Sequence, residues 1–121
     1  MSWPAETSRE LAGADEIEVV VSAPDRPDVR TPIWAVAVEG ELYVRSWKGD
    51  AGVWYRRARR HGTGAVVVTG RRHEVRFTPA DEPDLNGRID EAYRAKYGRS
   101  PYAAAMTRPP ATATTLRLDP R

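Results

Sequence analysis

A chain of 121 residues with net charge +2 and no cysteine is long enough for one domain, residues 1–121, that buries roughly two-thirds of its unfolded surface without cross-links. Without cysteine, disulfides, thiolate metal sites and thiol chemistry are excluded. No apolar run reaches the length of a bilayer span, and the start, MSWPAETSRELAG, lacks a basic-then-apolar leader layout, so a cytoplasmic protein without membrane contact is expected.

In chain order, residues 5–13 suit a short helix ending near Gly13. EIEVVVSA (16–23) reads as a strand with Ile17, Val19 and Val21 on one face. PDRPDVR (24–30) reads as a turn-rich connection with two prolines. TPIWAVAVEGELYVRSW (31–47) reads as two strands around a tight Glu39-Gly40 turn. Both Trp34, Val36, Val38 and Ile33, Ala35, Ala37 are apolar sets, which predicts a central strand buried on both faces. A glycine loop and a short helix over 52–61 follow. A second hairpin, AVVVTG (65–70) and RHEVRFTP (72–79), turns at Gly70-Arg71.

A helix over 83–97 carries an apolar stripe of Leu85, Ile89, Ala92, Tyr93 and Tyr97. The spacing predicts an Asp90–Arg94 pair on its outer face and a stop at Gly98. Residues 101–106 suit a turn of helix and 112–120 a last strand. The order predicts a mainly β (α+β) fold: about six mostly antiparallel strands in a small barrel with helices packed outside.

Charge is uneven along the chain. Residues 1–28 hold seven acids and two bases, net −5, whereas residues 45–76 hold nine bases and two acids, net +7. A local positive field attracts anions, although such a run is equally read as a solvated face. Dinucleotide, P-loop and nucleophile-elbow motifs are absent. The two histidines, His61 and His73, are not spaced for a metal, so no metal site is expected. His61 suits the C-terminus of the basic helix, and His73 a structural place on a strand face. Asp81-Glu82 and Asp90-Glu91 fit a helix start and an outer helix face.

The stretch RSWKGDAGVWYRR (45–57) is where chemistry concentrates. A strand ends at Arg45-Ser46, and a helix begins between Asp50 and Val53. Helix N-termini expose unpaired amides and a partial positive charge, which suit a phosphate. Gly49 and Gly52 permit close approach of a ligand to the backbone. Ser46 supplies a hydroxyl donor and Lys48 a flexible cation, while Arg45, Arg56 and Arg57 can add charge-assisted bonds. Trp47, Trp54 and Tyr55 offer flat surfaces for a ring system. Asp50 opposes an anion there unless it caps the helix. A solvated basic turn is the competing reading.

The segments TPIWAVAVEGELYVRSWKG and WYRRARRHGTGAVVVTGRRHEVRF resemble the core of the flavin-binding split β-barrel proteins, closest to the deazaflavin-dependent nitroreductase-like branch. Over most of its length the chain is also similar to a bacterial family of small uncharacterised proteins. The shared pattern is Pro32-Ile33-Trp34, Tyr43-Val44-Arg45-Ser46, Trp54-Tyr55, Val75-Arg76-Phe77 and Tyr93-Arg94-Ala95-Lys96-Tyr97-Gly98. The resemblance implies a six-stranded antiparallel split barrel, a homodimer, and FMN or a deazaflavin at the barrel wall. It implies Arg30, Thr31, Ser46, Lys48 and Arg57 around the phosphate, with Trp34 and Trp54 flanking the ring.

The leading functional expectation is an oxidoreductase that passes a hydride to a small quinone-like, nitro-aromatic or enone acceptor, the cofactor carrying the chemistry. One alternative is a non-catalytic binder of a flavin, haem or another anionic metabolite. The other is a nucleic-acid-binding module using Arg56, Arg57, Arg59, Arg60, Arg71, Arg72 and Arg76 with exposed aromatics. The acidic N-terminal quarter and modest net charge weigh against it.

Overall fold

The computed structural model describes residues 3–121. Three helices, α1 (Ala5–Gly13), α2 (Val53–His61) and α3 (Pro83–Tyr97), accompany seven strands. These are β1 (Ile17–Ala23), β2 (Arg26–Ile33), β3 (Ala35–Val38), β4 (Glu41–Val44), β5 (Thr63–Val68), β6 (Arg71–Pro79) and β7 (Leu116–Pro120). The strands form one antiparallel sheet in the order β2-β1-β5-β6-β7-β4-β3. Its two edge strands, β2 and β3, follow one another in the chain with only Trp34 between them. A sheet whose edges are joined by one residue must curl until they meet, and the result is a small barrel. No helix among the described residues is long and apolar enough to cross a membrane.

Seven strands stand where six are expected, because residues 26–30 of the predicted connection belong to β2 and the chain breaks pairing at Trp34. Only the Pro24-Asp25 corner turns, with Asp25 at φ 59°. Pro27 and Pro32 are tolerated because β2 has a neighbour on one side only, so a missing N–H need not break a ladder. The two tight hairpins place paired positive φ angles at Glu39-Gly40 (52° and 81°) and Thr69-Gly70 (47° and 78°). Both match the twist of the strands they join. The second turn thus lies one residue earlier than the sequence suggests. At the far end, residues 111–114 form a 3-10 turn and β7 begins only at Leu116.

β3 is an edge strand, not a central one. One face is covered, where Val36 and Val38 meet Ile89, Tyr93 and Tyr97 of α3; on the other Ala35 enters the barrel core but Ala37, expected to be buried, is exposed. The barrel interior is filled by Ile17, Val19, Val21, Leu42, Val44, Val66, Val75, Phe77, Leu116 and Leu118. Leu11 of α1 and Trp54, Tyr55 and Ala58 of α2 close it. At roughly 1.5–3 kcal/mol for each fully buried large aliphatic or Phe side chain, this interior is the main stabilising term.

Where β4 ends, Arg45 is sealed from water, with its side chain 0 % exposed. Nε donates to Thr115 Oγ1 (2.9 Å), Nη1 to Asp90 Oδ1 and Met106 O (2.8 Å), and Nη2 to Asn86 Oδ1 (2.9 Å) and Asn86 O (3.3 Å). All five N–H groups of the guanidinium are therefore used, and its carbon lies 5.5 Å from the Tyr93 ring centroid. Asp90 consequently points inward to Arg45 instead of pairing with Arg94 along the helix surface. Replacing Arg45 with Met leaves the partly buried Asp90 without its counter-charge and the Thr115, Met106 and Asn86 acceptors without their donor. Denaturant unfolding of Arg45→Met is expected to show a loss of about 3–5 kcal/mol. Arg45→Lys should recover only part of it, because an ammonium has three donors for five acceptors.

Candidate functional site

The chain leaves β4 at Arg45 and turns sharply. Ser46 N–H donates to Thr114 Oγ1 (2.8 Å), and Ser46 O accepts from Gly49 N–H (3.0 Å). Residues Gly49–Ala51 form a 3-10 turn, and Gly52 is the N-cap of α2. Two glycines make this path possible for different reasons. Gly49 has φ 65°, and a Cβ there would meet Pro110 Cβ at 2.7 Å. Gly52 has ordinary φ, but its Cβ would lie 2.5 Å from Ser46 Oγ. With glycine as N-cap no side chain caps α2, so its first-turn amides remain open donors.

Around this turn lies a cavity of about 740 Å³, within the size range of small-molecule sites. β2 supplies Val29, Thr31 and Ile33, the bend supplies Trp34, and the turn supplies Ser46, Trp47 and Lys48. α2 contributes Gly52, Val53 and Trp54, and the 99–107 segment contributes Tyr102 and Met106. Among the described residues Glu16 is the only carboxylate in the lining, and no histidine reaches it.

Of the residues the sequence singles out, Thr31, Trp34, Arg45, Ser46, Trp47, Lys48 and Trp54 meet at this cavity. Arg30, Gly49 and Arg57 do not line it. Successive strand residues point to opposite faces, so with Thr31 facing the cavity Arg30 faces away and pairs with Glu18 (2.9 Å). Gly49 packs on Pro110, and Arg57 Nη1 donates to Pro27 O (2.8 Å) and Val21 O (3.3 Å), tying α2 to the β1–β2 hairpin. Arg45 borders the cavity, but its donors are consumed inside the protein. Lys48 is exposed and has no ion-pair partner among the described residues. Asp50 neither caps α2 nor lines this cavity; it faces a separate cleft beside Arg56, Arg59 and Arg60.

The aromatic walls differ in freedom. Trp34 stacks on Tyr97 with centroids 4.0 Å apart and planes 2° off parallel. Burial pushes the Tyr97 hydroxyl up to about 12, so it stays protonated and donates towards Asp15 O (2.9 Å) and Ala35 O (3.3 Å). Trp54 is buried, whereas Trp47 and Tyr102 are 56 % and 61 % exposed and meet edge to face at 6.4 Å. Tyr102 and Met106 were not singled out as site residues by the sequence: the expected turn of helix over 101–106 is present as a 3-10 turn at Ala104–Thr107, but nothing local shows that it folds back onto the cavity. Both histidines stay outside the cavity. His61 ends α2 in solvent, and His73 sits edge-on to Trp3 (5.9 Å) with Nε2 3.6 Å from Glu10.

The turn depends on glycine at 49. Gly49→Ala combines a left-handed φ with a clash against Pro110, and a loss of about 1–3 kcal/mol is expected, checked by denaturant unfolding.

Residues 8–118 match the model of a family described as uncharacterized protein conserved in bacteria (DUF2255), and the chain belongs to that family. No curated protein matches it. Its fold is similar to a putative pyridoxamine 5′-phosphate oxidase from Listeria innocua (TM-score 0.67, 11% identity, covering 96% of this chain and 91% of that one). It is also similar to an F420 reductase (TM-score 0.59, 20% identity, 93% and 92%). A third similar structure is a pyridoxamine 5′-phosphate oxidase-related, FMN-binding protein from Nostoc punctiforme (TM-score 0.56, 12% identity, 99% and 83%). At these identities the likeness shows the fold, a split barrel shared with flavin- and F420-type proteins.

Proposed function

We propose that this member of the family holds a flavin-type cofactor, FMN or a deazaflavin, in the cavity beside the 45–52 turn, and acts as a reductase of a small quinone-like, nitro-aromatic or enone acceptor. The observation that carries the reading is the cradle at the start of α2. The Ser46 hydroxyl faces an uncapped helix N-terminus that stays open because residue 52 has no Cβ. The donor set suits a phosphate: hydroxyl, first-turn amides and the positive helix end. Lys48 adds a cation that is not tied up in an ion pair among the described residues, and Asp50 is turned to the other side, although Glu16 also lines the cavity.

The cofactor would supply the hydride chemistry. The chain's own residues bind and orient. Ser46 and the α2 amides would hold phosphate oxygens, and Lys48 would neutralise them. Trp34, Trp47 and Trp54 would border a planar ring and exclude water from it. Trp34 is held for this by its stack on Tyr97. Arg45 acts as a positioning residue, since it holds Met106 and with it the segment that carries Tyr102.

A non-catalytic carrier or sensor would use the same cavity, and the scarcity of acid–base groups in the lining is compatible with it. Nucleic acid is less favoured, because Arg57 is bonded to backbone carbonyls and Arg72 to Glu74. The homodimer is part of the proposal. Among the described residues the exposed large apolar side chains, Trp47, Val53 and Tyr102, all border the cavity mouth, where a second copy would cover them. Light scattering of Trp47→Glu should give a monomer where the wild type gives a dimer.

The absorption spectrum of the purified protein, followed by titration with FMN and with deazaflavin, tests the reading. Binding of one of them with a dissociation constant on the order of 10 μM or below is expected; no binding of either overturns it. Ser46→Ala with Lys48→Ala should weaken the cofactor by a few kcal/mol, about 1.5–3 for each lost charge-assisted bond. Unchanged affinity would mean the phosphate lies elsewhere. A bound cofactor that no electron donor reduces would favour the carrier.

A further inference from the structure

A second cleft, of about 620 Å³, opens beside α2. Asp50, Tyr55, Arg56, Arg59, Arg60 and Thr114 line it, and none of them lines the first cavity. We propose that it is a distinct binding site for the phosphoryl group of a small phosphorylated metabolite, independent of the cofactor cavity.

Arg56, Arg59 and Arg60 stand at positions i, i+3 and i+4 of one helix, so their side chains are neighbours on one face. Like charges at this spacing repel. Among the described residues six other arginines pair with acids, Arg30 with Glu18, Arg45 with Asp90, Arg71 with Glu10, Arg72 with Glu74, Arg88 with Glu39 and Arg117 with Asp119. The three around this cleft do not, and they differ from the chain's other unpaired arginines in standing together on one helix face beside a cleft. Arg56 and Arg60 have no ion-pair or hydrogen-bond partner among the described residues. Among the described residues Arg59 hydrogen-bonds to Tyr55, donating to its hydroxyl (3.0 Å) with the guanidinium carbon 6.0 Å from the ring centroid, and forms no ion pair. That contact holds the Arg59 fork in place.

A bland account covers part of this. Arg59 and Arg60 lie in the last turn of α2, where the helix dipole favours cations. It leaves Arg56, nearer the N-terminus, unexplained, and it does not call for a cleft. A phosphoryl oxyanion explains all three, since guanidinium forks match its oxygens in charge and geometry.

Asp50 narrows the class of ligand. It faces the same cleft, and no salt bridge joins it to the arginines. One carboxylate against three guanidiniums leaves the cleft positive, yet it repels a continuous polyanion and can accept from a hydroxyl or ammonium carried by the ligand. The Thr114 hydroxyl is already committed, donating to Ala111 O (2.7 Å) and accepting from Ser46 N–H (2.8 Å). The arginines therefore supply the donors.

The test is calorimetric titration of the full chain with inorganic phosphate and with O-phosphoethanolamine, at ionic strength held constant with chloride. It is run in the Ser46→Ala/Lys48→Ala background so that the cofactor cavity is disabled. One saturable site is expected, with O-phosphoethanolamine binding more tightly than phosphate. Arg56→Gln and Arg60→Gln should each weaken it roughly tenfold or more. These exposed positions should leave the circular dichroism spectrum unchanged, and the two single variants guard against loss of fold in either one. Three results overturn the proposal: no saturable binding beyond that of chloride; binding unaffected by both arginine variants; or a short single-stranded DNA displacing phosphate and binding more tightly than either probe.

Discussion

A guanidinium shut away from water must find an acceptor for every N–H, and Arg45 meets that demand with acceptors from three separate parts of the chain. Asn86 and Asp90 come from α3, Met106 from the 3-10 turn at Ala104–Thr107, and Thr115 from the residue just before the last strand. The network closes on itself: Asn86 Oδ1 also accepts from Thr115 Oγ1, and Asn86 Nδ2 donates to Ala80 O and Glu82 O. Burying an ion pair is a weak source of net stability, but breaking one is costly. The arrangement therefore acts less as glue than as a constraint. It leaves one way for α3 and the C-terminal third of the chain to sit against the end of β4.

That constraint reaches the cavity. Ser46 follows the clamp directly, and its N–H is held by Thr114, one residue before Thr115. Met106, held by its carbonyl, brings the segment bearing Tyr102 across the mouth. The other wall comes from the closure of the sheet, where β2 passes into β3 through Trp34. The cavity thus lies where the barrel seam meets the turn into α2. Wet and apolar groups converge there because the sheet has no further strand to pair and the helix has no side-chain cap.

The separation of charge around α2 is also a matter of packing. Asp50, Arg56, Arg59 and Arg60 fall beside one cleft, whereas Ser46, Lys48, Gly52 and Trp54 fall beside the other. The short helix divides a basic stretch that looks uniform in the sequence into two environments. One suits a ring with a phosphate at its edge, and the other a small anion.

Most elements were legible from local pattern. α1 appears from its stop signal at Gly13, α3 from its helical period, β1 and β6 from alternation, and the Glu39-Gly40 hairpin from turn chemistry, since each depends on neighbours within a few positions. Residues 26–30 were not, because prolines signal a turn unless the strand has an open edge, and edge position is a property of the whole sheet. The apolar double face of β3 was visible, but not that α3 rather than a further strand covers one side of it. In the site, the cradle around Ser46, Lys48 and the start of α2 follows from a strand end, a glycine turn and a helix start. Alternation along β2 could have separated Thr31 from Arg30. No local rule shows that Arg45 spends all its donors internally, that Asp50 turns away, or that Tyr102 and Met106 arrive from the far end of the chain. The sequence alone determines the elements, the basic turn and its glycines, because these rest on short-range sterics and periodicity. Tertiary structure decides which charges are sealed, which face the cavity and which remain unpaired, because those outcomes depend on contacts between residues as distant as Arg45 and Thr115.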